Sequence, residues 1–370
     1  MYKGLFIDDQ KEDDYIARYL SSKEQNLQVD FRMPDKELLE LAEEVIKYKP
    51  AILALDYRLD ERPAGKDNPN RYKAGPLAQQ LRDHAVEMPA EDFPIILVSH
   101  EGKIRQFFDP DLTVKDLFDR VYSKESVTDE QARHVKEIVS LVKGYSQIIK
   151  SLEIAKDRRL MHLLDIAEEE GSNFEHQDLQ IINGYMAPHQ IARDIFKKII
   201  DRQGLLLDKD NVVAVLGVDS KAIDLDNLFI KLAENKINYS GVFSDGWDRW
   251  WAHRISNYGK KLCGKAFGNL NAEERVTCLN NSYNLKLSPA KSRWTARVDS
   301  LYAFACSSCR QPTEIEYSVQ AYEPISYEFM QKRRICWTCV QTGEYAEKSL
   351  RINTADMFIA KKIQNGEIKN

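Results

Sequence analysis

The sequence feature that most constrains this chain is a short apolar run that ends abruptly at a carboxylate. The run reads Ala-Ile-Leu-Ala-Leu-Asp and covers residues 51–56. Four to eight apolar residues bounded by polar ones are typical of a parallel strand that is buried on both faces. Because open α/β folds bind ligands outside the carboxyl ends of such strands, the run predicts that Asp56 lies at the functional edge of a sheet.

Three further apolar runs end in polar side chains of complementary chemistry. One ends at the adjacent carboxylates of Asp8 and Asp9, one at the hydroxyl of Ser99 and one at the amine of Lys124. Two neighbouring carboxylates and a third make a compact oxygen site of the kind that Mg²⁺ prefers. With its charge shared by the metal, Asp56 can attack a phosphoryl group, while the hydroxyl and the amine offset charge on the phosphoryl oxygens. The four strand ends therefore predict a magnesium-dependent phosphoryl site.

With these residues, the first 127 positions resemble the receiver domain of two-component response regulators. The resemblance implies that Asp8, Asp9 and Asp56 bind Mg²⁺ and that Asp56 is the phosphoacceptor. It also implies that Ser99 is the switch hydroxyl and Lys124 the amine that senses the phosphoryl group. A sensor histidine kinase or a phosphotransfer protein would supply that group. The alternation of strand and helix patterns along residues 1–127 independently predicts an α/β fold, a doubly wound parallel sheet of five strands.

The chain departs from the receiver pattern at four places. His100 stands where a small residue usually follows the switch hydroxyl, and Glu125 stands where a proline usually follows the lysine. The aromatic residue of the fifth strand is one place late, at Tyr122. The loop after Asp56, residues 60–75, is longer than is usual in the family. The departures leave the phosphorylation site complete and change the residues that would relay its state.

Length and composition indicate a chain with more than one domain. A chain of 370 residues suggests two or three domains, and 43% hydrophobic with 30% charged residues is typical of globular proteins. No apolar run approaches the roughly 18 residues that a membrane span needs, and the first residues lack a signal-peptide pattern. We therefore expect a cytoplasmic protein without a membrane partner. The net charge of −5 combines an acidic first third with a modestly basic stretch at residues 245–340.

Residues 128–170 are predicted to form a helical linker. Six apolar residues recur at alternating spacings of three and four, as in the seam of a coiled coil: Val135, Ile138, Val142, Tyr145, Ile149 and Leu152. Lys156 and Arg159 interrupt the pattern, and it resumes through residue 167 after an offset typical of a stutter. The pattern predicts a homodimer through a long helix, or else an amphipathic helix packed on its own domain.

Residues 175–300 are predicted to form an α/β or helical middle region without a recognisable site. Residues 190–201 and 225–234 have helical patterns, and residues 211–217 have the pattern of a buried strand. Residues 168–173 have the composition of a linker. Three tryptophans and an arginine at positions 247–254 are spaced as on one helical face. They suit core anchors of a small helical subdomain or an interface.

The last segment, residues 301–370, carries two Cys-x-x-Cys pairs. Cys306 with Cys309 and Cys336 with Cys339 supply four thiolates for a tetrahedral Zn²⁺ in a unit that resembles a zinc ribbon, with strands expected at 313–321 and 327–335. These spacings also allow iron. The remaining two cysteines, at positions 263 and 278, are expected to be free thiols, since cysteines paired at metal-binding spacing indicate a reducing compartment.

Together the patterns predict a response-regulator-like phosphoacceptor rather than an enzyme, which signals to an output region of α+β type with a zinc ribbon. Three outputs fit the sequence: control of a partner protein, binding of nucleic acid, and storage of phosphoryl groups in a relay of the kind found in bacterial defence systems. Nucleic-acid binding would use five basic residues: Arg249, Arg254, Lys332, Arg333 and Arg334.

Overall fold

The computed structural model describes residues 1–61, 72–109 and 114–368, and it separates into two compact units. The first unit comprises Met1–Phe196 and Ser240–Trp247, and the second comprises Lys197–Tyr239 and Asp248–Asn370. The chain therefore enters the second unit, returns to the first for eight residues and enters the second again. In the described part of the chain, no helix combines the length and the apolar character needed to span a membrane.

A parallel sheet of five strands forms the centre of the first unit. The strands lie in the order β2-β1-β3-β4-β5, and every neighbouring pair is parallel. The strands are β1 (Tyr2–Ile7), β2 (Leu27–Arg32), β3 (Ile52–Leu55), β4 (Ile95–Ser99) and β5 (Arg120–Ser123). All four residues of β3 and all five of β4 are buried, as expected for strands that are covered on both faces. The structure confirms the α/β class and the five predicted strands.

The helices of this unit follow the strands in the alternation expected of a doubly wound fold. A 3₁₀ turn precedes the first helix, and a π turn follows the short fourth one. The helices are α1 (Tyr15–Leu20), α2 (Leu38–Tyr48), α3 (Ala74–Glu87), α4 (Glu101–Lys103) and α5 (Lys124–Asp129). On one face of the sheet, Leu41, Val45 and Leu77 of α2 and α3 are buried in a shared apolar core with the strands.

The predicted helical linker forms two helices, α6 (Gln131–Ser151) and α7 (Lys156–Leu164). The seam residues of α6 are covered within the first unit, since α6 packs against α1 and against α9 (Pro188–Ile195). Val135, Ile138, Val142 and Tyr145 are each 5% exposed or less, and the last two seam residues are half-buried. The helix is therefore the amphipathic element that the sequence allowed as the alternative to a coiled coil.

The expectation of one helix through residue 167 is wrong. The carbonyl of Ser151 accepts a hydrogen bond from Nε of Arg159 at 3.2 Å, and the same guanidinium donates to the carbonyls of Asn183 and Tyr185. Arg159, which seemed to interrupt the seam from outside, is 1% exposed. Its side chain thus donates to the carbonyl of the last residue of α6, which also accepts from the backbone N–H of Ile154 at 3.0 Å.

The rest of the first unit is helical and includes the returning segment. The predicted linker at 168–173 forms a 3₁₀ helix, Glu168–Phe174, which is followed by α8 (Gln177–Gly184) and by α9, with proline at its first position as expected. The segment Ser240–Trp247 is joined to α6, where Ser140 Oγ donates to the carbonyl of Phe243 at 2.9 Å.

The second unit begins with small helices and a two-stranded sheet. These elements are β6 (Leu206–Leu207), α10 (Lys209–Leu216), α11 (Leu225–Glu234), β7 (Trp250–Trp251), α12 (Ala252–Cys263) and α13 (Ala272–Tyr283). The strand expected at 211–217 is wrong, because α10 covers these residues. Asp208 caps this helix by accepting from the backbone N–H of Asn211 at 2.9 Å, and Gly217 ends it with a φ of 67°.

Two further expectations about the second unit are wrong. Trp250 and Trp251 do not share a helical face with the other aromatic residues, because they form β7 and pair with β6. Trp251 is fully buried, which agrees with the core role that the sequence allowed. Cys263 and Cys278 are joined in a disulfide between α12 and α13, so they are not free thiols. Fifteen residues separate them in the chain, and only the packing of the two helices brings them together.

The cysteine-rich end of the second unit has two antiparallel strand pairs and three helices. The strands are β8 (Tyr302–Ala305), β9 (Pro312–Glu314), β10 (Ser318–Gln320) and β11 (Arg334–Cys336), and the helices are α14 (Trp337–Thr342), α15 (Glu344–Glu347) and α16 (Met357–Gln364). β8 pairs with β9, and β10 pairs with β11. The two long strands expected here are shorter in the structure, because a turn at 315–317 divides the first and most of the second is irregular.

Candidate functional site

Three carboxylates meet at the carboxyl edge of the parallel sheet. Asp8 and Asp9 follow β1 and Asp56 follows β3, and one oxygen of each lies within 4.8 Å of the others. None of the three residues is more than 1% exposed. The order of the strands reverses between β1 and β3, and α/β folds bind ligands outside the strand ends at such a switch point. The topology thus brings the three predicted acids together at one point.

The hydroxyl and the amine that the sequence singled out lie in the same cluster. Ser99 Oγ donates to Oδ1 of Asp56 at 2.8 Å. Lys124 Nζ lies 3.2 Å from the same oxygen and 2.6 Å from Oδ2 of Asp8. It also lies 2.6 Å from Oδ2 of Asp13, which sequence reasoning missed. Asp13 lies in a 3₁₀ turn within a run of charged residues, so only the Asp-Asp doublet four residues earlier could have drawn attention to it.

The charges of the cluster are not balanced. Burial, followed by the charge of Asp56, raises the pKa of Asp8 to about 6 and that of Asp9 to about 6. For Lys124, burial disfavours the charged form, but the attraction of Asp56 and Asp8 outweighs it and raises the pKa above its usual value. Among the described residues, Lys124 is the cation in contact with Asp8, Asp13 and Asp56, while Asp9 adds a fourth carboxylate, so this cluster retains negative charge.

The donor set fits a hard divalent cation. Oδ2 of Asp9 is buried and has no hydrogen-bond partner among the described residues. The other carboxylates are oriented by the backbone, since the N–H of Gln10 donates to Oδ1 of Asp8 at 2.8 Å and the N–H of Arg58 donates to Oδ2 of Asp56 at 2.9 Å. Asp8, Asp9 and Asp56 are the residues that would hold Mg²⁺, which favours carboxylates combined with waters and phosphate oxygens.

The order of the strands decides the fold of this first sheet domain. It is a receiver-like fold. A sheet in the order β2-β1-β3-β4-β5 carries the acidic pair after β1, the third acid after β3, the hydroxyl at the end of β4 and the lysine directly after β5.

Searches among solved structures return response regulators. The signal receiver domain of the response regulator NarL from Mycobacterium tuberculosis is 17% identical, with 39% of this chain and 97% of that chain covered and a TM-score of 0.24. A DNA-binding response regulator of the LuxR family from Staphylococcus aureus is 13% identical, with 38% and 99% covered and a TM-score of 0.25. RcsB from Salmonella enterica serovar Typhimurium, bound to promoter rprA, is 13% identical, with 53% and 98% covered and a TM-score of 0.21.

No family model matches the chain. No curated protein matches it either.

Two of the departures from the receiver pattern are partners in the structure. His100 Nδ1 lies 2.9 Å from Oε1 of Glu125, and Oε2 of the same glutamate accepts from the backbone N–H of Glu101 at 3.2 Å. Burial raises the pKa of Glu125, but the hydrogen bond from His100 and those from backbone N–H groups together lower it overall. The imidazole and the carboxylate thus link the start of α4 to the start of α5.

The displaced aromatic residue of the receiver-like domain faces α6. The ring of Tyr122 is buried and meets the ring of His134 edge-on, with 4.7 Å between the centroids. Burial, followed by the negative charge of Glu137, raises the pKa of the Tyr122 hydroxyl well above its usual value. β5 is therefore in direct contact with the helix that follows the domain. The long loop after Asp56 lies largely outside the described residues.

The four cysteines of the second unit form one cluster. Their sulfurs lie within 4.8 Å of one another, with Sγ of Cys306 4.0 Å from that of Cys339 and Sγ of Cys309 3.9 Å from that of Cys336. Zn–S bonds of about 2.3 Å in a tetrahedron would separate sulfurs by about 3.8 Å. Backbone N–H groups of Ser308 and Cys336 donate to Sγ of Cys306. Such donors offset thiolate charge, so the four residues fit a structural metal.

Proposed function

We propose that this protein is a cytoplasmic phosphoacceptor of the response-regulator type, in which Asp56 receives a phosphoryl group from a sensor histidine kinase or a phosphotransfer protein. The observation that carries the proposal is the convergence of the Ser99 hydroxyl and the Lys124 amine on the same oxygen of Asp56. The acids around that oxygen, together with Mg²⁺, complete the set of groups that phosphoryl transfer to a carboxylate needs.

In the proposed step, an oxygen of Asp56 attacks the phosphorus of a phosphohistidine. The new O–P bond forms as the P–N bond breaks, and the imidazole leaves with a proton. Bound Mg²⁺ would neutralise charge on the phosphoryl oxygens. Lys124 and Ser99, which both contact Oδ1 of Asp56 before the reaction, would then bond to oxygens of the phosphoryl group. The breaking of these two contacts with Asp56 is the local change from which a signal would start.

The test is labelling by a small-molecule phosphodonor such as phosphoramidate in the presence of Mg²⁺, followed by intact-mass measurement. We expect one phosphoryl group per chain on the parent and none on Asp56→Asn. Asp30→Asn, the same change on the exposed part of β2, is the matched control and should label like the parent. Equal labelling of the parent and Asp56→Asn would show that the phosphoacceptor is another residue.

The output belongs to the second unit, and we propose that the four cysteines hold Zn²⁺ there as a zinc-ribbon-like module. Control of a partner protein is one output. Nucleic-acid binding has a specific observation in its favour, because four of the five basic residues that suggested it line a single cavity of this unit. Self-association stays a prediction, but without the α6 seam as its surface, because that seam is buried within the first unit.

A further inference from the structure

The second unit contains a cavity of about 250 Å³ with an unusual concentration of positive charge. It lies beside the Cys306–Cys309 turn and the strand that leads to Cys336, and its wall also includes the start of α10. Six cationic side chains line it: Arg202, Arg249, Arg310, Lys332, Arg333 and Arg334.

Three carboxylates line the same cavity and offset half of this charge. They are Asp201, Asp208 and Glu323, so six cationic and three anionic side chains leave a net charge of +3. Like charges crowded around a small concave space repel one another, and an anion that enters the space relieves this repulsion.

The ion pairs around the cavity show which cations are already neutralised. Arg310 is held by two carboxylates, those of Asp208 and Asp210. Glu323, by contrast, serves two guanidinium groups, with Oε1 3.1 Å from Nε of Arg333 and 3.4 Å from Nη1 of Arg202. The side chain of Glu323 is 4% exposed, so its position is fixed by the protein. One carboxylate shared by two guanidinium groups leaves one positive charge uncompensated.

Arg334 and Lys332 contribute the remaining excess of positive charge. Among the residues that the structure describes, the guanidinium of Arg334 donates only to neutral oxygens, including Ser318 Oγ at 2.8 Å and the carbonyl of Ser318 at 2.9 Å. Burial lowers the pKa of Arg334, as expected for a cation that lacks a carboxylate in contact. Lys332 is exposed and forms no ion pair with a described residue. Both side chains have charge available for a ligand.

We propose that this cavity binds a phosphate group, carried by a small organophosphate such as a nucleotide or by a nucleic-acid strand. Arginine presents planar, paired donors that match the oxygens of phosphate. Arg202 and Arg333, which share one carboxylate, and Arg334, which donates to neutral oxygens, present such donors to this space. The cavity volume suits a phosphate with a sugar-sized substituent rather than a duplex, so a nucleic acid would be bound through one phosphate at an end or in a single strand.

The site is independent of Asp56 and can be tested separately from the proposed phosphoacceptor. The full-length, zinc-loaded chain carrying Asp56→Asn, in buffer without Mg²⁺, removes phosphoryl chemistry at the sheet edge. Isothermal titration with sodium pyrophosphate and, in a second arm, with a short 5′-phosphorylated single-stranded oligonucleotide measures binding to the cavity. We expect saturable binding in at least one arm, with an affinity that falls as the salt concentration rises.

A pair of charge-matched variants locates the binding. Lys332→Glu places a carboxylate at the cavity wall and should weaken binding by at least about tenfold. Lys261→Glu makes the same change at an exposed position of α12 outside the cavity and should alter affinity less than about twofold. Arg202→Gln, combined with a zinc assay that verifies folding of the second unit, provides a second variant inside the cavity and should weaken binding in the same way.

The arms also identify the source of the phosphate. If pyrophosphate binds and Lys332→Glu weakens this binding, the ligand is a small phosphate compound. If only the oligonucleotide binds, and Lys332→Glu weakens that binding, the ligand is a nucleic acid. No saturation in either arm, or equal weakening by Lys332→Glu and Lys261→Glu, overturns the proposal without bearing on Asp56.

Discussion

At the scale of single residues, the sheet edge is a site of uncompensated charge. Lys124 is 1% exposed and contacts Asp8, Asp13 and Asp56, while one oxygen of Asp9 has no hydrogen-bond partner in the described part of the chain. A buried carboxyl group whose pKa is raised to about 6 destabilises the folded state at neutral pH, because folding must hold it ionised in unfavourable surroundings. The metal-free site therefore trades stability for the capacity to bind a cation.

Asp9→Asn is expected to make the metal-free protein more stable at pH 7.5. When folding raises the pKa of a carboxyl group, the ionised group costs stability at a pH above its folded-state pKa and nothing at a pH below its unfolded-state pKa. The free energy of unfolding of Asp9→Asn should therefore exceed that of the parent by on the order of 1–3 kcal/mol at pH 7.5, and this gain should vanish near pH 4. Urea unfolding at both pH values measures it. With saturating Mg²⁺ the order should reverse, since only the parent is stabilised. A variant that is less stable without metal at pH 7.5 would contradict this account.

Arg82 is also a buried charge, but unlike the carboxylates at the sheet edge it is fully paired. Its guanidinium lies 2.9 Å from Asp92 and 2.8 Å from Asp119, and the side chains are 4% exposed or less. Arg82→Met removes the guanidinium from two buried carboxylates, leaving Asp92 with His189 and Asp119 with the Tyr145 hydroxyl, so we expect a loss of about 3–5 kcal/mol in the free energy of unfolding. Arg18→Met removes an exposed pair with Asp14 and should cost less than about 1 kcal/mol. Chemical denaturation compares the two.

At the scale of elements, close packing rather than helix propensity determines which residue α6 tolerates at position 144. A Cβ placed on Gly144 would lie 2.1 Å from Cε1 of Phe243 in the returning segment. Gly144→Ala should therefore destabilise the protein, although alanine favours a helix by about 1 kcal/mol, because overpacking typically costs about 1–3 kcal/mol. At Gly184, no described atom lies within 4 Å of an added Cβ. In Gly184→Ala only helix propensity should therefore matter, and stability should be unchanged or higher. Thermal unfolding that ranks the two variants in reverse would refute the packing argument.

The secondary-structure elements also show how much of the fold could be predicted from the sequence, and why. The five strands and their terminal side chains were predicted correctly, because parallel strands buried on both faces are continuous apolar runs with abrupt polar ends. The helix at 209–216 was missed because its valines suit a strand equally well, although Asp208 before it and Gly217 after it are helix-cap signals. Asp13 and the Cys263–Cys278 disulfide depend on packing between separate elements, which periodicity does not reveal.

At the scale of the whole molecule, the two units differ in one source of stability. Each has a large apolar core, but the last apolar cluster of the second unit also includes the four cysteines. A structural zinc in such a cluster contributes directly to folding free energy. Loss of the metal should therefore unfold the end of the second unit and leave the receiver-like domain folded.

Metal analysis of the purified chain is expected to find one zinc per molecule. Cys309→Ser should abolish it, because three thiolates leave the tetrahedron incomplete, and should expose residues 301–368 to hydrogen exchange while β1–β5 stay protected. Cys263→Ser removes a cysteine of the disulfide instead and should retain the zinc. Iron in place of zinc would reassign the metal, and the absence of any metal from protein purified without chelators would refute the site.

The return of Ser240–Trp247 to the first unit also has a consequence for how this protein can evolve. Those eight residues are encoded downstream of the start of the second unit, yet Phe243 packs on α6 and its carbonyl is bonded to Ser140. A single recombination at the end of α9 would replace them together with the second unit and leave that surface of α6 uncovered. We therefore expect that the second unit is not exchanged by one crossover in the gene, and that new variants arise by substitution within it.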